Sequence, residues 1–367
     1  MPVASLDSRL ARAIVPSYFS VQMHLLHACN LTCAHCYDSQ HPSFAMPPTA
    51  EVKRRVDLIH AFCRGLGVTP DIHLSGGEPT LRRDLVELVD HIVGLRHGDA
   101  LLFSNGTRFS RELAERLWGA GLRFVQLSLE GPEPQNDEVR GPGAFGRAMA
   151  TLHMLRELGF RITVSITVTA QNFPKLFDFV ADLDDLQLYF HIREVFAVGS
   201  GAQLATISRA QRRQLAEWAV GWQGQSTIGL EDPVHCSVDR DYAGHLAGCV
   251  AGRNHFAVDV DGSIFPCRPL ALPVGHIDDL TAMWHGETMT RLRHRELEGA
   301  CGRCQLRHHC GGCRVQAQAE GSLFGEDSRC FAAENGLLMT PGEAKLFRAA
   351  QELGWSAAAA WRRLRGH

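Results

Sequence analysis

Between Val21 and Arg193 the chain repeats one pattern: a short apolar run, a turn, then a stretch with helical spacing. That alternation constrains the fold more than any other feature. Strands separated by helices pair in parallel, and a parallel sheet needs helices over its faces. The strand candidates are 21–27, 71–75, 100–104, 123–129, 161–168 and 187–194, with helical stretches near 49–64, 81–95, 110–119, 143–158 and 173–183. In the stretch 110–119, Leu113, Leu117 and Trp118 fall at helical spacing, Ser110 is placed to cap the start and Gly121 follows the end. Six strand–helix units predict an α/β fold of the partial-barrel kind, a (β/α)6 TIM-like barrel short of the closed eight. In such sheets functional groups gather at the C-terminal ends of the strands.

The cysteine loop sits at that end of the first strand. Cys29, Cys33 and Cys36 lie in His27-Ala28-Cys29-Asn30-Leu31-Thr32-Cys33-Ala34-His35-Cys36-Tyr37. Cysteine thiolates are the usual ligands of iron–sulfur clusters, and a cubane offers four irons. Three ligands leave one iron for something that is not protein, and an open metal position marks a catalytic site. The alternatives are zinc, with His35 replacing a cysteine, and disulfides. Zinc sites close with four ligands in paired spacings. Nothing from Met1 to Ser20 has the apolar core of a signal peptide, so the 12 cysteines point to metal in a reducing compartment.

The spacing C-x-x-x-C-x-x-C followed by the aromatic Tyr37 resembles the signature loop of the radical S-adenosylmethionine (SAM) enzymes. The resemblance implies that Cys29, Cys33 and Cys36 hold a 4Fe–4S cluster. The open iron would chelate the methionine end of SAM, and reductive cleavage would give a 5′-deoxyadenosyl radical that takes hydrogen from substrate. Tyr37 would pack near the adenine. Ser75-Gly76-Gly77-Glu78-Pro79 resembles the family's glycine–glycine–glutamate motif: paired glycines let backbone approach a ligand, and Glu78 can accept from an ammonium. Ser104 is implied near the ribose or carboxylate, with a turn cap as the equal alternative. Glu130 stands where relatives usually carry aspartate; it is a candidate for substrate or radical-site contact, against a surface turn. Arg140 matches an arginine that pairs with the SAM carboxylate through its bidentate fork. Ser165 and Thr167 to Thr169 are candidates for the ribose hydroxyls, and the backbone at Ile192 and Arg193 would lie beside adenine.

Eight cysteines fall between Cys236 and Cys330, where regular periodicity is weak. Such a segment buries too little apolar surface to hold together without metal or other cross-links. Cys249, Gly262, Cys267, Cys301-x-x-Cys304, Cys310-Gly-Gly-Cys313 and Cys330 resemble the seven-cysteine SPASM extension, with a zinc ribbon as the alternative. The resemblance implies two auxiliary clusters: an outer one on Cys301, Cys304, Cys310 and Cys330, and an inner one on Cys249, Cys267 and Cys313. Cys236 is the candidate fourth inner ligand, the other option being an open inner iron. Cys63 lies in an apolar helical pattern and reads as a core thiol. The expected organisation is an N-terminal segment (1–20), barrel (21–205), bridging helix and linker (206–235), SPASM-type cysteine-rich domain (236–332) and helical tail (333–367). In the tail Leu346, Phe347, Ala350 and Leu353 are expected on one face.

The chain of 367 residues is 45% hydrophobic and 21% charged, with a net charge of −3. No basic stripe suggests nucleic acid, and no apolar run is long enough for a membrane span. A cytoplasmic enzyme is expected, served by a flavodoxin- or ferredoxin-type electron donor. The family pattern implies oxidative modification of a ribosomally made peptide. The alternative is side-chain chemistry on a tetrapyrrole or another small metabolite, and a non-catalytic zinc or redox protein is the distant third. Arg268 stands where sulfatase maturases carry an aspartate base, which argues against that chemistry. With the first strand near residue 21, no leader-binding domain is expected within the chain, so a separate leader-binding protein is a candidate partner.

Overall fold

The computed structural model describes residues 19–38, 46–95 and 99–352. Residues 1–18 of the N-terminal segment and Leu353 of the tail lie outside the described residues. Strands β1 (Phe19–His24), β2 (Pro70–Ser75), β3 (Ala100–Ser104), β4 (Phe124–Ser128), β5 (Arg161–Val168) and β6 (Tyr189–Glu194) lie side by side in chain order, all parallel. The register pairs His24 with Ser75, Ser104 with Leu127, Ser128 with Ser165 and Val168 with Glu194. The C-terminal strand ends therefore come level and form one rim.

Local chemistry explains the elements. β5 reads Arg-Ile-Thr-Val-Ser-Ile-Thr-Val, and β-branched side chains suit a pleated surface. Ser110 caps the helix Arg111–Gly119 by accepting from Leu113 N at 3.1 Å. Helices Thr49–Leu66, Leu85–Gly94, Ala144–Glu157 and Phe173–Asp182 cover the sheet as expected. One more helix, Glu133–Arg140, has too few apolar residues to be read from periodicity. Ile72, Leu74, Leu102, Val125, Leu127, Val164 and Ile166 are fully buried. Each such side chain contributes roughly 1.5–3 kcal/mol on burial. Cys63 is buried in the same core.

Two regions differ from the expectation. The bridging helix is present as Arg209–Gly221, but the linker after it adds a seventh parallel strand, β7 (Thr227–Leu230), against β6. On the other side, β8 (His255–Val258) pairs in parallel with β1 and leads into antiparallel β9 (Ser263–Phe265) and β10 (Gly275–His276). The result is one ten-stranded sheet, so the first part of the cysteine-rich region extends the barrel rather than standing apart. Phe19 of β1, Phe62, Phe256 of β8 and Trp284 pack ring on ring at 5.4–6.4 Å and fasten that junction. These added strands are two to four residues long, too short for alternation to show.

After these strands comes a pair of helices, Leu280–His285 and Glu287–His294. Most of the chain from Gly299 to Thr340 is irregular, broken by the short helices Gly299–Arg303 and Arg314–Ala319. In the tail helix Pro341–Glu352, Phe347 and Ala344 face inward, whereas Leu346 is 59% exposed. Neighbours on a helix point about 100° apart, so Leu346 and Phe347 cannot share a narrow face. Among the described residues no helix is long and apolar enough to cross a membrane.

Candidate active site and cluster sites

The rim of the barrel encloses a cavity of about 200 Å³. The cysteine loop leaves β1 and forms one wall, with Cys29 exposed and Cys33 and Cys36 half-buried. Two contacts fix the loop on the rim: Ala34 N donates to Val139 O, and Ser200 N donates to Cys36 O, each at 2.9 Å. Gly76 and Gly77 form the next wall. Gly77 N donates to Leu26 O at 2.8 Å and Glu78 N to Ala28 O at 2.9 Å. A Cβ on Gly77 would lie 2.1 Å from Ala28 O. The paired glycines thus let backbone approach the cysteine loop itself.

Burial raises the thiols of Cys29 and Cys33 and pushes Cys36 up to about 11, and neighbouring thiolates add to the rise at Cys29 and Cys36. At Cys33 the guanidinium of Arg140 opposes that rise, and its Nη1 stands 3.8 Å from the sulfur. Three converging thiols that disfavour bare ionisation suit a metal centre, which takes up thiolates and releases their protons.

Arg140, Ser104, Ser165, Tyr37 and Thr167 line the cavity as well. Tyr37 places its hydroxyl 3.3 Å from both Gln22 Nε2 and His24 Nε2. The Ser104 hydroxyl accepts from Gly106 N at 3.0 Å and donates to Glu78 Oε1 at 2.8 Å, so it is also a turn cap.

Three expected site residues are placed elsewhere. Glu78 is fully buried, and its carboxylate accepts from Thr80 N and Oγ1, Ser104 Oγ and Asn105 N. It joins the ends of β2 and β3, and burial raises its pKa. Glu130, expected against substrate, lies behind the wall: it accepts from His35 Nε2 at 2.8 Å, Thr167 N at 2.6 Å and the Arg140 fork. Burial opposes its ionisation, but Arg140 and His35 outweigh burial and hold it below the usual carboxylate range. The strong acceptor demand of Arg140, buried by the unforeseen helix Glu133–Arg140, draws Glu130 inward. Ile192 is buried in the hydrophobic core, and its carbonyl is taken by Glu231 N at 2.9 Å. Its neighbour Arg193 reaches the cavity instead, because side chains alternate along a strand, and Phe196, beyond the strand's end, lines it too.

Sequence reasoning missed the role of His35 as a buttress and of Asn105, whose amide bonds Asn30 at 3.0 Å and approaches the Cys29 sulfur at 3.9 Å. It also missed Gln22, Phe103 and Gln126, which line the cavity from inward-facing strand positions. Period-two counting from the buried Val21, Leu102 and Val125 carries the signal for these last three.

In the cysteine-rich region Cys301, Cys304, Cys310 and Cys330 converge on one small cavity, closed by Arg307 and Asp327. Each sulfur has an N–H aimed at it: Arg314 Nη2 at Cys301 (3.6 Å), Leu306 N at Cys304 (3.4 Å), Gly312 N at Cys310 (3.4 Å) and Ala332 N at Cys330 (3.3 Å). Donors trained on four sulfurs fit an anionic cluster, whose potential such bonds raise. Burial pushes the Cys267 thiol up to about 12; Cys249 adds to that rise and Arg193, from the cavity wall, opposes it. Arg268, next to Cys267, donates to Asp38 (2.7 Å), Asp259 (3.0 Å) and His24 (3.1 Å) and ties the two cysteine loops together.

One cysteine differs from the expected grouping. Cys236 lies beside Cys310 rather than with Cys249 and Cys267: contact with Cys236 is the first cause, and burial the second, that push the Cys310 thiol far up. The turn Pro233–Ser237 carries Cys236 under the outer set, where Pro233 O accepts from Cys310 Sγ at 3.0 Å. Cys313 is raised by burial and then by Asp232, and its strongest charged neighbours are Asp232, Arg329 and Asp327.

The radical SAM superfamily model matches residues 23–180, and the SPASM iron–sulfur cluster-binding model matches residues 249–305. Mycofactocin maturase MftC of Mycolicibacterium smegmatis is 32% identical over 296 residues, 76% of this chain and 74% of that protein. The AdoMet-dependent heme synthase of Methanosarcina barkeri is 28% identical over 342 residues, 84% of this chain and 95% of that one. Among solved structures, Streptococcus suis SuiB bound to S-adenosylmethionine superposes with a TM-score of 0.69 at 18% identity, covering 88% of this chain and 80% of that one. The chain belongs to the radical SAM superfamily, which binds SAM on a 4Fe–4S cluster, and carries the SPASM extension for auxiliary iron–sulfur clusters.

Proposed function

We propose that this enzyme oxidatively modifies a ribosomally made peptide. Polar lining carries the reading: beside the residues assigned to SAM, Gln22, Gln126 and Ser128 bring amide and hydroxyl side chains to the cavity wall. Such groups suit a peptide backbone, whereas a flat macrocycle calls for broad apolar walls. The maturase relative at 32% identity supports the same reading.

Bound SAM would supply the 5′-deoxyadenosyl radical that takes hydrogen from substrate. Cys29, Cys33 and Cys36 would hold its cluster. Arg140, braced by Glu130, would meet the SAM carboxylate, while Tyr37, Ser165 and Thr167 would flank the nucleoside. Cys301, Cys304, Cys310 and Cys330 would hold the outer auxiliary cluster. Cys249 and Cys267 would hold the inner one, beside Arg193 on the substrate side. A flavodoxin- or ferredoxin-type donor, a separate leader-binding protein and the reducing cytoplasm complete the reading.

The heme synthase relative, matched over 95% of its length, favours a second reading: radical chemistry on a tetrapyrrole side chain. Reduced, reconstituted enzyme with SAM is offered short peptides encoded beside its gene, and iron coproporphyrin in parallel. Peptide hydrogen loss together with 5′-deoxyadenosine is expected. A modified tetrapyrrole with unchanged peptides overturns the peptide assignment.

A further inference from the structure

Arg295 closes the helix Glu287–His294 in the left-handed region, at φ 55°. Glycine is the residue that adopts this conformation freely, so an arginine there is strained. Its side chain does not escape to water: it is 2% exposed, among the largest fully buried side chains of the molecule. Nη2 donates to the carbonyl of Cys249. Among the described residues, Nε and Nη1 have no hydrogen-bond partner.

A guanidinium stays charged at any pH a protein survives. A buried charge without a counter-ion is among the costliest arrangements in a fold. The surroundings narrow what neutralises it. One neighbour is Cys249. Another is Gly311, where a Cβ would lie 2.6 Å from Arg295 Cζ, in the loop between Cys310 and Cys313. Cys249 N donates to Cys310 O at 2.8 Å, so guanidinium, Cys249 and this loop form one unit. A second cation, Arg253, follows four residues after Cys249 and is held nearby by its Nη1, which donates to His308 O at 3.0 Å, two residues before Cys310. Two cations beside one thiol, with no carboxylate on Arg295 among the described residues, describe a site for a thiolate-bound anion.

We propose that Arg295 is the counter-cation of the inner auxiliary cluster, with Nε and Nη1 reserved for that cluster's sulfurs. Arg295 bonds Cys249 directly and does not line the cavity of the outer four cysteines. A fixed positive charge favours the reduced, more negative cluster and so raises its potential. Arg295 is therefore a positioning residue that poises the inner cluster to accept an electron.

The inference rests on Cys249 and Cys267 holding a cluster, which the wild-type enzyme tests first. Its anaerobic redox titration must show two auxiliary couples beside that of the SAM cluster, and their absence overturns the cluster assignment itself. Given those couples, Arg295→Met is expected to weaken reduction of the inner one by tenfold or more, about 59 mV for one electron. Arg295→Lys, which keeps the charge, should retain most of the wild-type value. Loss of the inner cluster alone from Arg295→Met, with the outer retained, supports the proposal equally. An unmoved inner couple at full iron content overturns it, as does a shift confined to the outer couple. Failure of both variants to take up either auxiliary cluster also overturns it, by showing that the arginine serves the fold.

Discussion

The loop at the barrel rim and the outer cysteine nest use the same residue type at similar short spacings, yet they are built oppositely. At the rim three thiols border a cavity of about 200 Å³, and Cys29 is exposed. In the nest four thiols border about 10 Å³, and Cys301, Cys304 and Cys310 are each 6% exposed. Every sulfur of the nest has a protein N–H within 3.6 Å, whereas the rim donors stand further off, at 3.8 Å from Cys33 and 3.9 Å from Cys29, and Arg140, Ser165 and Thr167 line the open cavity. A site completed by protein stores or passes electrons. A site left one ligand short receives a molecule.

The harshest test of that difference removes one thiol from each. Cys33→Ala should abolish 5′-deoxyadenosine formation, measured by chromatography of the reaction with reduced enzyme. Cys304→Ala should spare part of that cleavage but lose modified product. Equal loss of cleavage in both variants would break the comparison, because it would make the nest part of SAM chemistry.

Gly77→Ala tests the rim without touching a ligand. Its Cβ would press on Ala28 O, one residue before Cys29, and backbone cannot yield as a side-chain tip can. A displacement near 1 Å at a reacting centre costs on the order of 100-fold in rate. Cleavage should fall by that order while thermal stability and auxiliary iron stay close to wild type. Unchanged cleavage would mean that the loop tolerates the shift.

Glu130→Gln probes the buttress. Both members of its ion pair with Arg140 are buried, and removing one partner from such a pair costs about 3 kcal/mol. Thermal melting should register that loss, and SAM affinity should weaken as Arg140 loses its brace. A melting temperature within error of wild type would show that His35 and water replace the bond.

Much of this architecture was legible in the sequence, for reasons that particular residues show. The six barrel strands betray themselves because each is a compact apolar run beside a helix with its own period. Ser110 capping Leu113 was readable because a cap is a local event. Strands β7 to β10 were not, since four residues such as His255 to Val258 carry no period and gain their strand form only by pairing with β1. The same split divides the site. Cys29, Cys33 and Cys36 share one short loop, so their convergence is nearly covalent. Glu130 is decided by His35, Thr167 and Arg140, which reach it from three other segments. Spacing predicts neighbours along the chain, whereas burial and competition for hydrogen bonds decide which way a charged side chain turns.

Cys236 gives the mildest test, and it sharpens the boundary between the nest and the inner pair. Counting along the sequence assigns it to Cys249 and Cys267, whereas the fold sets it against Cys310, fully buried, with its thiol facing Leu246 O at 3.6 Å and Ala247 O at 3.5 Å. A thiol held on two carbonyls behaves as a weak donor in a packed core. Cys236→Ser keeps the donor and shortens it, so a stability loss of about 1 kcal/mol is expected. Iron content and both auxiliary couples should be unchanged, because a hydroxyl has replaced a group that binds no iron. Loss of about four irons per chain with the inner couple gone would return Cys236 to the inner cluster. Loss of the outer couple instead would make it a fifth thiol competing for the nest, and the nest would no longer be the closed site that the comparison makes it.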